Sequence, residues 1–108
     1  MRYLLLLILA YAQCAFSLEL GVDQLFSGPD INQLKGKRVG LITNPTGVNS
    51  YLVSTITLFA QSKKVNLVAL FSPEHGIDGS FYAGAHVNSD LKAPTPIYSL
   101  HGQTRRPT

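Results

Sequence analysis

Cysteine is nearly absent from this chain. Cys14 is the only cysteine among 108 residues, and it lies in an N-terminal stretch that we expect to be removed. The remaining chain would hold no thiol, which excludes disulfides, thiolate catalysis and zinc sites built on cysteine. An exported protein without disulfides has to be stabilised by its hydrophobic core alone.

Charge is also sparse and shows no concentration of one sign. Charged residues make up 14% of the sequence and the formal net charge is +3, with paired bases only at Lys63 with Lys64 and at Arg105 with Arg106. Nucleic-acid binding requires a basic cluster that neutralises several phosphates. We therefore expect no nucleic-acid partner, and we interpret the two basic pairs as solvated surface charge.

Cofactor and metal motifs are missing as well. Gly40 and Gly47 do not fit the dinucleotide motif G-x-G-x-x-G, and no P-loop lysine follows them. His75, His86 and His101 are eleven and fifteen residues apart, which matches no helical metal motif such as H-E-x-x-H. The sequence predicts neither a bound cofactor nor a metal site.

The start of the chain is a long apolar run. Arg2 precedes an unbroken apolar segment, residues 3–12, and Ala15 and Ser17 are small residues of the kind found before a signal-peptidase cut. A run of about ten residues is roughly half of what a helix needs to cross a bilayer. We predict a signal peptide over residues 1–17, cleavage after Ser17, a periplasmic or secreted protein, and membrane contact only before cleavage. An uncleaved anchor is the alternative.

The first part of the mature chain predicts short helical segments and then a strand. Residues 18–37 carry apolar side chains at near-helical spacing, and Gly28 with Pro29 interrupts them, which predicts a short helix or turn on each side. Residues 38–43 form a mostly apolar, β-branched run that predicts a buried strand. The strand should end before Pro45, because proline restricts the residue that precedes it.

An amphipathic helix is predicted next. Residues 51–61 place apolar side chains on one face, and Asn49 or Ser50 is available as the N-cap. Lys63 and Lys64 are expected in the last turn, where positive charge meets the negative end of the helix dipole.

Two further strands complete a parallel sheet. Residues 65–71 are almost continuously apolar, as in a strand covered on both faces, and residues 97–100 form a third short strand. Strand, helix and strand in this order make a βαβ unit, so the fold class is α/β with a small parallel sheet. Residues 72–93 are irregular, and such long loops are commonly functional. No helix follows the third strand, so we expect a partner or further chain to cover the sheet.

Two loops leave the carboxyl ends of the first two strands. They comprise residues 44–47 and 73–76, and such loops converge on the ligand crevice of open α/β sheets. Glu74 is the candidate catalytic residue, because desolvation beside a buried strand would raise its pKa as a general acid requires. A solvated loop glutamate is the alternative. His75 could donate a hydrogen bond to a ligand or tune Glu74, or could be a plain surface residue.

Four ordered motifs carry a family resemblance. They are R-V-G-L-I-T-N-P-T-G at residues 38–47, F-S-P-E-H-G-I at 71–77, A-G at 83–84, and Y-S-L-H-G at 98–102 followed by R-P-T at 106–108. Together they resemble the exo-β-N-acetylmuramidase family, long catalogued only as a domain of unknown function. The resemblance implies a Rossmann-like domain followed by a second domain. It also implies hydrolysis of terminal N-acetylmuramic acid from the non-reducing ends of peptidoglycan fragments.

The resemblance also implies roles for individual residues. Glu74 would be the catalytic acid and His75 its neighbour in the site. Asn44 would face the sugar, and Arg106 would contact the acidic lactyl group of muramic acid. Glycoside hydrolysis usually needs two carboxyl groups, and Asp78 and Asp90 are the nearby candidates for the second.

This sequence departs from the family pattern at three positions. Asp78 stands where a basic residue is usual, Ala85 where an acidic residue is common, and His101 where an aromatic residue is common. Family members are also several times longer. We therefore expect residues 18–108 to form an incomplete N-terminal Rossmann-like catalytic domain of a two-domain enzyme, truncated and without assured activity. Its partner would be a peptidoglycan-derived sugar or muropeptide, and a non-catalytic sugar-binding module is the alternative.

Overall fold

The computed structural model describes residues 18–106. The predicted signal peptide over residues 1–17, with its cleavage after Ser17, therefore lies outside the described residues. Within the described range, no helix combines the length and the apolar character that crossing a membrane would require.

Two short helical segments open the described chain. Helix α1 spans Gly21–Ser27, and a 3-10 helix spans Pro29–Leu34. The N–H of Gly28 donates back to a carbonyl of α1 at 2.8 Å, and Pro29 then suits a helix start because its missing N–H is not needed there. The predicted helix or turn on each side of the Gly-Pro break is confirmed. Ile31 of the 3-10 helix is fully buried.

A three-stranded parallel sheet forms the centre of the fold. Its strands are β1 (Arg38–Ile42), β2 (Asn66–Ser72) and β3 (Ile97–Ser99), and they lie in the order β1-β2-β3 with both pairs parallel. Helix α2 (Thr55–Gln61) connects β1 to β2. The predicted α/β class and the parallel neighbours of the βαβ unit are confirmed.

Helix α2 starts later than predicted. It begins at Thr55, and Ser54 is its N-cap, with the hydroxyl oxygen accepting a backbone N–H at 3.2 Å. The predicted start at residue 51 was wrong because Asn49 holds the chain in a turn. The buried side-chain oxygen of Asn49 accepts two backbone N–H groups, at 3.0 and 2.8 Å, from the residues that would have formed the first helical turn.

The same helix also ends before the two lysines. Gln61 is its last residue, and Ser62 has an extended backbone with ψ at 121°. Lys63 and Lys64 therefore lie in the connection to β2, and the predicted placement in the last turn was wrong. Both lysines are exposed.

The observed cap predicts a specific loss of stability. Ser54→Ala removes the hydroxyl acceptor at the start of α2 and should lower the free energy of unfolding by about 1 kcal/mol, measured by urea unfolding. Ser50→Ala is the matched control, because among residues 18–106 the hydrogen bond of Ser50 runs from its backbone N–H, to Asp23 at 3.0 Å, and the substitution keeps that group. It should cost less than about 0.5 kcal/mol. Equal losses in the two variants would contradict the cap assignment.

The sheet is covered unevenly by the described residues. Alternation along β2 places Leu70 and Ser72 on one face, where both are buried. The other face carries Ile42, which is 64% exposed, and Phe71 stacked on the half-exposed Tyr98 with ring centroids 5.6 Å apart. One helix packs against β2, and residues 18–106 supply no matching layer on the second face, so the cover expected from a partner or further chain is not part of the described structure. The prediction of a buried first strand was wrong within these residues, because alternate residues of β1 are exposed.

Candidate functional site

The ends of all three strands meet at one edge of the sheet. Ile42 pairs with Phe71 and Ser72 pairs with Ser99, so the loops after β1, β2 and β3 leave side by side. The first two loops lie against each other. Gly79 of the loop after β2 is so near Pro45 of the loop after β1 that a Cβ added to Gly79 would lie 3.1 Å from the Pro45 ring. We call this edge, residues 44–47, 73–84 and 100–102, the strand-end rim.

Glu74 lies on this rim with its carboxylate held by the backbone. Its Oε1 accepts the N–H of Gly84 at 2.7 Å, and its side chain is 44% exposed. The Gly84 bond lowers the pKa of Glu74 below its ordinary value, desolvation opposes this, and the charges of His101, His75 and Arg105 lower it further. The predicted rise in pKa was wrong, because hydrogen bonding to the ionised form outweighs burial.

The lowered pKa predicts an acid-sensitive stability. The folded chain holds Glu74 ionised more firmly than the unfolded chain does, so this contribution is fully present above the ordinary value of 4.5 and is lost as the pH falls through the lower folded value. The free energy of unfolding should fall between roughly pH 5 and pH 3, and Glu74→Gln should make that fall shallower. Urea midpoints at several pH values measure it. Glu19→Gln is the control, and an equal effect in both variants would contradict the assignment.

His75 closes the loop that carries Glu74. Its backbone is in the left-handed region with φ at 72°, which costs about 1 kcal/mol or more for a residue with a side chain. Two bonds to Phe81 hold it there: Nδ1–H donates to the Phe81 carbonyl at 2.8 Å, and the Phe81 N–H donates to the His75 carbonyl at 3.3 Å. Because a carbonyl only accepts, Nδ1 carries the proton. The residue is exposed, so Nε2, the ring nitrogen that Phe81 does not use, remains available to a ligand.

Asn44 builds the first loop of the rim. Its Oδ1 accepts both the N–H of Thr46 at 3.1 Å and the hydroxyl of Thr46 at 2.8 Å, and its carbonyl accepts the N–H of Gly47 at 3.0 Å. The side-chain oxygen is therefore occupied within the loop. The NH₂ group of this exposed residue is the part of Asn44 that remains available to a ligand.

Arg106 lies in a neighbouring cleft. This cleft of about 330 Å³ runs along the open face of the sheet, where Phe71 and Tyr98 line it together with Arg106. Within the part of the chain that the structure describes, no salt bridge joins Arg106 to Glu74, whereas the charge of the adjacent Arg105 acts on Glu74. The structure thus brings Glu74, His75 and Asn44 to one rim and places Arg106 beside it.

The two aspartates proposed as second carboxylates share a different cleft. Asp78 and Asp90 both line a cavity of about 370 Å³, and Glu74 is not among the residues that line it. Asp78 is held ionised by Ser80, whose hydroxyl and N–H donate to its Oδ1 at 2.7 and 3.1 Å and lower its pKa. Across residues 18–106, no three histidine, cysteine or carboxylate side chains converge as a metal ion would require.

His101 was not among the site residues predicted from the sequence, but its side chain faces Glu74. Its Nε2 lies 3.8 Å from Glu74 Oε1, and the side chain is only 15% exposed. The cause is the register: Glu74 and His101 each follow by two residues the paired positions Ser72 and Ser99. The available signal was that both residues stand just beyond an apolar strand.

The fold and the rim define the chain as an α/β domain whose loops meet at the carboxyl ends of its strands, the edge at which open α/β sheets generally bind ligands. The family model described as exo-β-N-acetylmuramidase NamZ, N-terminal, matches residues 39–108. This match covers more than half of the chain. The chain therefore belongs to the exo-β-N-acetylmuramidase NamZ family, as the sequence motifs predicted.

Two relatives support this assignment. The chain is 50% identical over 91 residues to the peptidoglycan β-N-acetylmuramidase NamZ of Bacillus subtilis (strain 168). The aligned region covers 82% of this chain and 22% of that protein. It also resembles the crystal structure of a DUF1343 family protein from Bacteroides fragilis NCTC 9343. That similarity has a TM-score of 0.68 at 47% identity, covering 83% of this chain and 22% of the other. The chain thus spans less than a quarter of the length of either relative.

Proposed function

We propose that this chain provides the N-terminal, glycan-facing part of an exo-acting glycosidase that removes terminal N-acetylmuramic acid from peptidoglycan fragments. The observation that carries the proposal is Glu74, a half-exposed carboxylate held by the Gly84 N–H at the strand-end rim. Family membership and the 50% identity to a peptidoglycan β-N-acetylmuramidase support the same reaction class. The covered share of that relative is 22%, so the reaction is a proposal about the whole enzyme.

The state of Glu74 points to a particular role. Glycosidases commonly pair a protonated carboxyl group, which protonates the leaving oxygen, with an ionised one that activates water or attacks the sugar. The Gly84 N–H stabilises ionised Glu74 and lowers its pKa. In this geometry Glu74 is suited to be the ionised member of the pair rather than the acid that the family resemblance implied. The hydroxyl and N–H of Ser80 lower the pKa of Asp78 as well, so Asp78 is likewise better suited to be an ionised group than an acid.

The surroundings of Glu74 suit an acidic sugar. His75, His101 and Arg105 are the basic groups whose charges act on its carboxylate. Basic groups around one rim attract anionic ligands, and muramic acid carries a lactyl carboxylate. Asn44 would donate its free NH₂ group to a sugar hydroxyl or carbonyl, and Arg106 would contact the substrate from the neighbouring cleft.

The proposed substrate agrees with the predicted export. Peptidoglycan lies outside the cytoplasmic membrane, so an enzyme acting on its fragments there needs a signal such as the one predicted over residues 1–17. A periplasmic or secreted location is therefore part of the proposal. Mass spectrometry of the exported chain should show a mature terminus at Leu18, and a retained N-terminal segment would contradict cleavage.

A second candidate is a non-catalytic module that binds muropeptides. It is favoured by one observation, the location of Asp78 and Asp90 in a cleft that Glu74 does not line. The wild-type module and its Glu74→Gln variant would bind a disaccharide with N-acetylmuramic acid at its non-reducing end equally well. Neither would hydrolyse it. An enzyme part would show turnover that depends on Glu74.

The decisive experiment uses a disaccharide with N-acetylmuramic acid at its non-reducing end. The substrate is incubated with the chain alone and with a hybrid, in which residues 18–108 replace the matching segment of the Bacillus subtilis relative. Mass spectrometry detects released N-acetylmuramic acid. Release by the hybrid supports the proposal, and a folded hybrid that binds the disaccharide without hydrolysing it supports the binding module instead.

A further inference from the structure

A buried nitrogen without a partner lies beside the proposed catalytic carboxylate. The Nε2 atom of His101 is inaccessible to solvent and makes no hydrogen bond to any of the residues that the structure describes. Buried polar atoms in folded proteins nearly always have a partner, and an unpaired one calls for an explanation. The acceptor that faces this nitrogen is Oε1 of Glu74, at 3.8 Å.

The backbone holds His101 firmly in place. Its N–H donates to the hydroxyl of Ser99 at 3.1 Å, and its carbonyl accepts the N–H of the buried Val87 at 3.1 Å. The N–H of Leu100 donates to the carbonyl of Ser72 at 2.8 Å, which extends the β2–β3 ladder to the residue just before His101. The backbone that carries the imidazole is thus held at the end of the sheet, and the Glu74 side chain, which the Gly84 N–H contacts, is the more exposed of the two.

The chemistry of the pair decides which atom carries the proton. Ionised Glu74 only accepts hydrogen bonds, so a bond between the two groups requires a proton on Nε2 of His101. The observed 3.8 Å exceeds hydrogen-bond length, and a side-chain rotation that moves Oε1 by roughly 1 Å would close the gap. Oε1 would then accept from both the Gly84 N–H and His101.

We infer that His101 is a positioning residue for Glu74: it donates Nε2–H to Oε1 after the small rotation of the Glu74 side chain, and it leaves Oε2 as the oxygen that faces a ligand. The role of Oε2 toward a sugar rests on the proposed function, whereas the pairing of His101 with Glu74 does not. The other basic groups whose charges act on Glu74 are His75 and Arg105. Among the described residues, His101 is the histidine whose ring nitrogen comes within 4.0 Å of Oε1, so it is the one placed to hold that oxygen.

The test is a nuclear magnetic resonance titration of the full chain without substrate. Imidazole ¹⁵N shifts report which nitrogen of His101 carries the proton in wild type, and carboxyl ¹³C shifts report the titration of Glu74. We expect the Nε2–H form of His101 at neutral pH, and an upward shift of the Glu74 midpoint in His101→Ala. His101→Gln retains a donor and should recover part of that shift. His86→Ala, which removes an exposed histidine, should leave the midpoint unchanged.

The outcomes separate this inference from the glycosidase proposal. An Nδ1–H form of His101 in wild type, or an unchanged Glu74 midpoint in folded His101→Ala, would overturn the positioning role. The wild-type measurement requires no variant, so it decides the question even if His101→Ala does not fold. No substrate is present, so absence of glycosidase activity leaves this result unaffected.

Discussion

Glu74→Gln in the hybrid enzyme should lower kcat by about 10²- to 10⁴-fold, the range usual for loss of a group that transfers protons in the transition state. Glutamine has nearly the same shape, and its side-chain oxygen can still accept the Gly84 N–H that Glu74 Oε1 accepts at 2.7 Å. The variant should therefore fold normally and lose only the ionisable group. Rates of N-acetylmuramic acid release, measured at saturating disaccharide, give kcat directly.

The chain offers a closely matched control for this variant. Glu19 is the only other glutamate, and its carboxylate accepts the hydroxyl of Ser27 at 3.3 Å, outside the strand-end rim. Glu19→Gln makes the same chemical change away from the rim and should leave kcat unchanged. If Glu74→Gln turns over the disaccharide as fast as Glu19→Gln does, Glu74 is not the catalytic carboxylate.

The second large effect is expected at Gly76, in the loop that carries Glu74. Its φ is 81°, and a Cβ at this position would lie 2.8 Å from the ring of Phe81. Gly76→Val therefore adds both a strained backbone and a steric clash, and should lower the free energy of unfolding by about 2 to 4 kcal/mol. Urea unfolding followed by circular dichroism measures the loss. Because Phe81 also holds His75, the same variant should displace the rim.

A second glycine separates the two causes of that loss. Gly36 has a similar φ of 74°, but a Cβ there would meet nothing within 4 Å. Gly36→Val should thus show the backbone strain alone, about 1 to 3 kcal/mol. A loss in Gly76→Val no larger than the loss in Gly36→Val would show that Phe81 moves aside without cost.

The strands were predictable, because their position depends on residues that are adjacent in the sequence. Both principal strands are apolar runs bounded by turn-forming residues, and the observed β1 and β2 lie within one residue of the predicted ranges. The start of α2 was not predictable from periodicity, because the side chain of Asn49 takes the backbone N–H groups that the first helical turn would have used. Apolar spacing shows which face of a segment is buried, and it does not show which polar group binds the backbone at its end.

Part of the candidate site was also predictable from the sequence, and part was not. Glu74 stood out because it follows a predicted strand, His75 because it is the neighbour of Glu74, and Asn44 through the family resemblance; the structure places all three on one rim. The pKa direction of Glu74 was predicted wrongly because the group that decides it, the N–H of Gly84, is ten residues away in an irregular loop. His101 was overlooked because only the pairing of β2 with β3 brings it to Glu74.

The sequence by itself determined the parallel α/β order, the loops at the strand ends and the family, since these follow from local apolar patterns and contiguous motifs. Only the tertiary structure decided that Glu74 is held as a carboxylate and that His101 faces it. Ionisation and orientation depend on hydrogen-bond donors and charges within a few ångströms, and residues far apart in the chain become such neighbours only when the strands pair.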